Sequence, residues 1–240
     1  MTALLITATD TNAGKTVLTM ALAAYCQTYL PAEYWGLMKP LQSGTGDQEL
    51  YQKILRLNQS PEEITPLYYT EPLAPPLAAR REGKRVEWEK VWPAFVKLQA
   101  KRDLILIESL GGLGSPITLE MTVADWARDW RLPTVLVVPV KLGSIGQAVA
   151  NVALARSNNV NLIGIVLNCR ENCTEQEIDD WASLDLIQSL TQIPILGLIP
   201  YLENPTDLGK LAQVASGLDL EKLIKMPSRL TVHHNQIIQA

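Results

Sequence analysis

The chain has 240 residues, of which 47% are hydrophobic and 19% charged, and its formal net charge is −4. This length suits one large α/β domain or two small ones, and the composition is ordinary for a globular protein. The acidic charge balance gives no overall positive field for nucleic acid or an anionic membrane. The N-terminus has no signal-peptide pattern, and no apolar run is long enough to cross a bilayer. We therefore expect a cytoplasmic protein that binds neither nucleic acid nor membranes.

Short apolar runs alternate along the chain with longer segments of helical spacing. The runs occupy residues 3–8, 34–39, 103–108, 134–140, 162–168 and 194–199, and the helical segments 15–29, 86–100, 144–157 and 175–190. Continuous apolar runs are typical of strands buried on both faces, and their alternation with helices predicts a parallel sheet with right-handed crossovers. We predict a single α/β domain over residues 1–225 and a C-terminal tail over residues 226–240.

Residues 58–85 interrupt this alternation because they are rich in proline, tyrosine and charge. Pro72, Pro75 and Pro76 leave little room for regular structure. Proline is favoured at the first position of a helix. The segment is therefore predicted to be a loop with one short helix from about Pro76.

The segment TATDTNAGKT, residues 7–16, joins the first predicted strand to the first predicted helix. In such a loop the backbone N–H groups and the helix N-terminus attract phosphate, Lys15 neutralises its charge, and Thr16 can bind Mg²⁺. Ala8 stands where a glycine is usual, and it costs about 1 kcal/mol only if its φ angle must be positive. This context predicts a nucleotide site.

Further polar residues follow the ends of predicted strands, where open α/β sheets place their ligands. Lys39 and Ser43 follow the second run, Glu108 ends the third, and Asn168 ends the fifth. Taken singly, Glu108 could cap a turn, Asp47 could cap the helix after it, and Lys39 could end a strand at the surface. Together with the phosphate loop, Glu108 is at the position from which Mg²⁺ is held, Lys39 is favoured as a site residue, and Asp47 could be a second metal-facing carboxylate.

Five motifs resemble those of the dethiobiotin synthetase family, in consistent order over about residues 4 to 205. They are TDTNAGKT, KPLQSG, IESLGGLGSPI, ADWARDWRLPTVLVVPVKLGSIGQA and GLIPYLENP. The resemblance implies a single-domain, P-loop NTPase-like fold of three α/β/α layers with a mostly parallel central sheet.

The family activity implied by this resemblance is an ATP-dependent ring closure. CO₂ adds to one amine of 7,8-diaminopelargonate (7,8-diaminononanoate) as a carbamate, whose oxygen attacks the γ-phosphate. The second amine of the resulting carbamic–phosphoric anhydride then closes the ring of dethiobiotin. The resemblance further implies Mg²⁺ as cofactor, ATP as co-substrate with other nucleoside triphosphates left open, and a homodimer.

The resemblance also carries roles onto individual residues. Lys15 and Lys39 are expected to be catalytic, Lys39 and Ser43 to bind substrate, and Thr16, Asp47 and Glu108 to hold Mg²⁺. The residues expected to bind nucleotide are Asn12, Ala13, Gly14, Lys15, Thr16, Val17, Asp47, Glu108, Ser109, Leu110, Gly111, Asn168, Cys169, Pro200, Tyr201 and Leu202.

Departures from the family pattern lead to separate expectations. Ser109 and Leu110 replace Gly-Ala, which is expected to add bulk beside the nucleotide. The connection around Asp47 is short, so Glu49 is the fallback metal ligand. The segment KLGSIG, residues 141–146, is expected at a dimer interface, with Ser144 at a helix N-terminus that could meet the substrate carboxylate.

Three other functions share parts of this pattern. A partition or septum-site ATPase switch usually has an extra lysine early in the phosphate loop, which residues 9–13 lack. An amide-forming ligase of the cobyrinic-acid type needs a glutaminase domain, for which 240 residues leave no space. A non-catalytic nucleotide binder is disfavoured by the retained Lys15, Thr16, Lys39 and Glu108.

Overall fold

The computed structural model describes residues 2–224. The strands are β1 (Thr2–Ala8), β2 (Trp35–Met38), β3 (Leu41–Ser43), β4 (Leu67–Tyr69), β5 (Leu104–Glu108), β6 (Thr134–Pro139), β7 (Leu162–Asn168) and β8 (Ile195–Ile199). Six of them form one wholly parallel sheet in the order β2-β5-β1-β6-β7-β8, while β3 and β4 form a separate parallel pair. The predicted parallel α/β fold is confirmed.

Helices cover both faces of the large sheet. They are α1 (Lys15–Tyr29), α2 (Asp47–Ile54), α3 (Pro61–Ile64), α4 (Pro75–Arg81), α5 (Val91–Gln99), α6 (Val123–Asp129), α7 (Ser144–Ser157), α8 (Glu175–Ala182), α9 (Leu184–Thr191), α10 (Leu208–Ser216) and α11 (Leu220–Leu223), with a 3₁₀ turn at Trp88–Lys90. None of these helices is long and apolar enough to span a membrane. The predicted tail over residues 226–240 lies outside the described residues.

Alternation along the central strands builds the three layers. In β1, Leu4 and Ile6 pack with α1 and α10 on one face, while Leu5 packs with α5 and α6 on the other. In β6, Leu136 faces a third cluster formed with α7 and α9. Each strand is therefore apolar on both sides, which is why the strands read as continuous hydrophobic runs.

Two predicted helices differ from the structure. The segment 86–100 begins as the 3₁₀ turn and becomes α-helical only at Val91. The segment 175–190 is two helices, because Ser183 adopts φ −44° and ψ 119° and separates α8 from α9. The apolar pattern continues through Ser183, so periodicity alone does not show the break.

The prediction of a loop with a single helix over residues 58–85 is wrong. The segment 58–85 contains α3, β4 and α4, and α4 begins at Pro75 rather than Pro76. Strand β4 pairs with β3 from Leu41↔Leu67 to Ser43↔Tyr69. Three-residue strands between proline-rich turns are too short to show periodicity in the sequence.

Candidate active site

The phosphate loop leaves β1 at Ala8 and enters α1 at Lys15. Ala8 is fully buried and belongs to the cluster shared with α1. It lies in a regular strand and is not among the described residues with positive φ. A glycine is therefore not required at this position, and the family departure at Ala8 causes no backbone strain.

Gly14 is the one position in this loop where a side chain has no room. Its φ angle is +107°, and a Cβ atom there would lie 2.0 Å from Nδ2 of Asn168. That amide nitrogen donates a hydrogen bond to the Ala13 carbonyl at 3.0 Å. Asn168, at the end of β7, thus fixes the loop while lining the space beside it.

Lys15 folds back over its own loop. Its Nζ donates to the carbonyl oxygen of Thr11 at 3.0 Å and to that of Asp10 at 3.4 Å. Burial lowers the pKa of Lys15 to about 8, although the nearby Glu108 carboxylate opposes this decrease. The free protein therefore loses this positive charge as the pH rises through about 8.

Nucleotide binding should consequently take up a proton at alkaline pH. Phosphate charge favours protonated Lys15, so its pKa must be higher in the complex than the value of about 8 in the free protein. Binding is expected to be tightest below that value and to weaken above it. Calorimetry at about pH 9 in two buffers of different ionisation enthalpy should show uptake of about one proton per nucleotide bound. At about pH 7.5 the uptake should be well below one proton. Equal uptake at both pH values would contradict a role for Lys15 at the phosphate.

Four side chains from four elements meet beside Lys15. Lys39, just after β2, places Nζ 2.5 Å from Oδ2 of Asp47 and 2.8 Å from Oε1 of Glu108. Thr16 Oγ1 lies 3.0 Å from Oδ1 of Asp47 and 3.2 Å from Oε1 of Glu108. The backbone of Lys39 is fixed as well, because its N–H donates a hydrogen bond to the Ile64 carbonyl at 2.8 Å.

The charges in this cluster support one another. Burial lowers the pKa of Lys39, but Glu108 and Asp47 more than compensate, so its pKa is raised. Burial acts against ionised Asp47 too, yet Lys39 and Thr16 lower the pKa of its carboxyl. Lys39 is therefore a permanent ammonium group, suited to stabilising an anion and unsuited to accepting a proton.

Tyr51, one helical turn after Asp47 in α2, completes the cluster. Its side chain is fully buried, and its hydroxyl donates to Oε2 of Glu108. Burial, followed by the Glu108 charge, raises the pKa of Tyr51 well above its usual value. The phenol therefore stays protonated and acts as a hydrogen-bond donor.

The oxygen atoms of Thr16, Asp47 and Glu108 fit the predicted magnesium site. Two carboxylates and a hydroxyl are hard ligands, and Mg²⁺ in nucleotide sites takes its other ligands from phosphates and water. Nowhere in residues 2–224 do three or more His, Cys, Asp or Glu side chains form a metal cage. The donor set of Thr16, Asp47 and Glu108 suits a metal whose other ligands are phosphate oxygens and water.

Two cavities open along this edge of the sheet. The first has a volume of about 270 Å³ and is lined by Thr11, Asn12, Gly14, Lys15, Thr16, Val17, Asn168, Cys169, Arg170, Pro200, Tyr201, Leu202 and Pro205. The second has a volume of about 470 Å³ and is lined by Thr11, Asn12, Lys15, Thr16, Lys39, Leu41, Gln42, Ser43, Thr45, Asp47, Pro72, Leu73, Ala74, Pro75, Glu108, Leu110, Gly111, Ser115 and Pro116. The phosphate loop forms a wall of both cavities, which share the lining residues Thr11, Asn12, Lys15 and Thr16.

The cavities bring together most of the predicted site residues, with four differences. Ala13 and Ser109 line neither cavity; Ser109 is fully buried, and its hydroxyl donates to Thr7 Oγ1 at 3.1 Å. Leu110 and Gly111 line the second cavity, as Lys39 does, and not the first. The Ser109 side chain therefore adds no bulk to either cavity, and that of Leu110 lies on the Lys39 side.

Two secondary expectations are not supported by the contacts. Glu49 accepts hydrogen bonds from the Gly46 N–H at 2.9 Å and from Gln42 at 3.0 Å, so it caps α2 instead of facing the metal ligands. Ser144 is fully buried, donates to the Pro139 carbonyl, and accepts from the Lys141 N–H. Its hydroxyl is used inside the turn before α7 and is not free to meet a carboxylate.

Sequence reasoning missed several residues of the site. Tyr51 lies within the apolar face of α2, where it resembles an ordinary core residue. Arg170 follows Asn168 directly and lines the first cavity. Gln42 lines the second cavity, and its Oε1 accepts from the Gln48 N–H at 2.9 Å. For Arg170 and Gln42, the available signal in the sequence was their position next to residues already recognised as site candidates.

Comparisons with known proteins identify close relatives. A family model described as an AAA domain matches residues 2–207. The chain is 55% identical over 226 residues to the ATP-dependent dethiobiotin synthetase BioD of Gloeothece citriformis, covering 94% of this chain and 100% of that protein. It is 54% identical over 223 residues to the protein of the same name from Crocosphaera subtropica, covering 93% and 100% respectively.

Solved structures resemble the fold at much lower sequence identity. A ParA family ATPase from Chlorobium tepidum is 16% identical, with a TM-score of 0.55 and 94% coverage of each chain. The septum site-determining protein MinD from Pyrococcus horikoshii, solved with Mg-ADP, is 15% identical, with a TM-score of 0.51 and coverage of 92% of this chain and 88% of that one. These similarities establish the fold alone, whereas identities above one half over almost the whole chain establish the family. The chain belongs to the ATP-dependent dethiobiotin synthetase family.

Proposed function

We propose that the chain is a ligase that forms carbon–nitrogen bonds, converting 7,8-diaminopelargonate, CO₂ and ATP into dethiobiotin, ADP and phosphate. The observation that carries this proposal is that Lys15 and Thr16 line two adjacent cavities at once. A nucleotide in the first cavity would direct its γ-phosphate toward a substrate in the second. Family membership supports the same reaction, since the relatives are named for it.

The second cavity suits a diamine with an aliphatic chain. Leu41, Leu73 and Leu110 contribute apolar walls, while Lys39 and Ser43 contribute polar atoms. Ser43 Oγ is buried and has no hydrogen-bond partner within residues 2–224. An unpaired buried hydroxyl is costly unless a ligand satisfies it. We assign it to the amine end of the substrate.

The reaction begins with addition of one substrate amine to CO₂, which forms a carbamate anion and releases a proton. Lys39 remains charged and therefore favours this anion next to the phosphate loop. A carbamate oxygen then forms a bond to the γ-phosphorus as the bond to the ADP oxygen breaks. Lys15 and Lys39 would stabilise the charge that develops on the transferred phosphoryl group.

The last step closes the ring. The second amine attacks the carbamic carbon of the mixed anhydride, and the carbon–oxygen bond to phosphate breaks as this amine loses its proton. When bound, Mg²⁺ offsets phosphate charge and is held by Thr16, Asp47 and Glu108. The departing phosphate anion can accept the proton that the amine loses, so neither lysine needs to act as a base.

The remaining predicted features are proposals of the same kind. We place the base of the nucleotide in the first cavity, near Asn168 and Tyr201, with the nucleotide's identity left open. We also propose a homodimer with residues 141–146 at its interface, where Leu142 is 83% exposed. A cytoplasmic location and a single domain ending near residue 225 complete the proposal.

Product formation tests the proposed reaction directly. Purified protein should convert diaminopelargonate, bicarbonate, Mg²⁺ and ATP into dethiobiotin, with one phosphate released for each product molecule. Mass spectrometry measures the product, and a coupled assay measures phosphate. Phosphate release without dethiobiotin would contradict the proposal and would indicate a different ATP-driven reaction.

A further inference from the structure

We propose that Tyr51 is a positioning residue for the metal site. Its hydroxyl holds Oε2 of Glu108, which leaves Oε1 as the oxygen that faces Thr16, Lys39 and a bound Mg²⁺. This inference rests on the Mg²⁺ use in the proposed function, but it concerns a residue that no family motif in the sequence includes. It specifies which carboxylate oxygen contacts the metal.

The two oxygens of Glu108 have separate partners. Oε1 accepts from Lys39 Nζ at 2.8 Å and from Thr16 Oγ1 at 3.2 Å. Oε2 accepts from the Tyr51 hydroxyl. The side chains of Glu108 and Tyr51 are both fully buried. With one oxygen fixed in this way, the carboxylate cannot rotate about its last bond without losing its donor.

The placement of Tyr51 relates to the metal ligands rather than to packing alone. Asp47 and Tyr51 lie four residues apart on α2, so both project from the same side of the helix toward Glu108. A phenylalanine would fill nearly the same volume of the core. What tyrosine adds is a donor, and outer contacts of this type orient metal ligands and commonly change metal affinity by 10- to 100-fold when removed.

Metal affinity measured without turnover tests the proposal. Binding of Mn²⁺ to enzyme saturated with a non-hydrolysable ATP analogue is followed by electron paramagnetic resonance. Tyr51→Phe should raise the Mn²⁺ dissociation constant about tenfold. In turnover assays it should raise the Mg²⁺ concentration needed for half-maximal rate by a similar factor. Unchanged Mn²⁺ affinity would overturn the proposal.

A matched control separates this effect from the loss of any buried hydroxyl. Tyr25 is equally buried on α1, where its ring packs against Tyr29 with centroids 4.8 Å apart. Tyr25→Phe should leave Mn²⁺ affinity unchanged. Because Tyr51 acts through Glu108, adding Tyr51→Phe to Glu108→Gln should weaken Mn²⁺ binding no further, and additive losses would overturn the proposal.

A measurement on wild-type protein covers the case in which Tyr51→Phe does not fold. With ¹³C at tyrosine Cζ, adding Mg²⁺ to the nucleotide-saturated enzyme should move the resonance of one of the seven tyrosines. Absence of any shift would contradict contact between the phenol and a metal ligand. Failure of the wild-type protein to form dethiobiotin would refute the proposed reaction instead, and it would leave these binding measurements interpretable.

Discussion

Lys39→Met is expected to lower kcat for dethiobiotin formation about 10³-fold while leaving nucleotide affinity nearly unchanged. Lys39 lines the second cavity and contacts the carboxylates of Asp47 and Glu108. It therefore lies where the carbamate and the transferred phosphoryl group would meet. Nucleotide is held mainly by the loop and Lys15, which the substitution does not touch. Product is measured by mass spectrometry, and nucleotide binding by calorimetry.

The same substitution should reduce stability in a metal-dependent way. Removing Lys39 leaves the buried Glu108 and the partly buried Asp47 without their shared partner, and breaking such a pair costs about 3–5 kcal/mol. Mg²⁺ supplies the lost positive charge, so it should raise the melting temperature of the variant more than that of the wild type. Lys53→Met, at an exposed position on α2, serves as the control. A kcat of Lys39→Met equal to that of the wild type would show that Lys39 has no role in catalysis.

Gly14→Ala is expected to weaken nucleotide binding by at least about 100-fold, or about 2.7 kcal/mol. An alanine Cβ would overlap the Asn168 side chain, 2.0 Å from Nδ2 and 2.7 Å from Cγ, and φ is +107°. The positive φ angle alone costs about 1–2 kcal/mol in an L-residue. Relief of both strains requires the loop to leave the conformation that aims its N–H groups at phosphate. Binding of a fluorescent ATP analogue measures the loss.

Gly209→Ala provides the control for this experiment. Gly209 is an exposed residue of α10, and its nearest contact for an added Cβ is Asp207 Oδ1 at 3.4 Å. Nucleotide affinity should not change, and stability should rise slightly because alanine is favoured in helices. Combining Gly14→Ala with Asn168→Ala removes the overlap but not the positive φ, so at most partial recovery is expected. If Gly14→Ala binds nucleotide as tightly as the wild type does, the phosphates do not bind at this loop.

The sequence predicted those parts of the site that depend on local context. Gly14, Lys15 and Thr16 are adjacent in the chain, and the strand and helix that flank them are both strongly patterned. Glu108 was recognisable because a carboxylate at the end of a buried apolar strand has few structural explanations. The edge of a parallel sheet then brings such strand ends together, whatever the spacing along the chain.

Other parts of the site depend on contacts between distant segments. Tyr51 and Glu108 are 57 residues apart, and nothing local to α2 indicates that its buried phenol meets a carboxylate. Ser109 was predicted to face the nucleotide, whereas it is fully buried directly after β5 and its hydroxyl donates to Thr7, 102 residues away in the chain. No local pattern indicates either this contact or that of Tyr51.

The pairing of β3 with β4 shows a further limit of local reasoning. Each strand has three residues, and they pair across a connection that includes α2 and α3. Their stability comes from packing in the cluster that contains Leu41, Leu67 and Tyr69. This small sheet supports Ser43 at the wall of the second cavity, although its own segment appeared irregular in the sequence.

The position of Lys39 between Asp47 and Glu108 also has a consequence for how the protein is handled. The polypeptide neutralises its own acidic pair, so no resident ion is needed to hold the two carboxylates together. Prolonged dialysis against EDTA should therefore leave the fold and the melting temperature unchanged. In the proposed reaction, Mg²⁺ would then enter with each triphosphate and leave with the diphosphate, once per catalytic cycle.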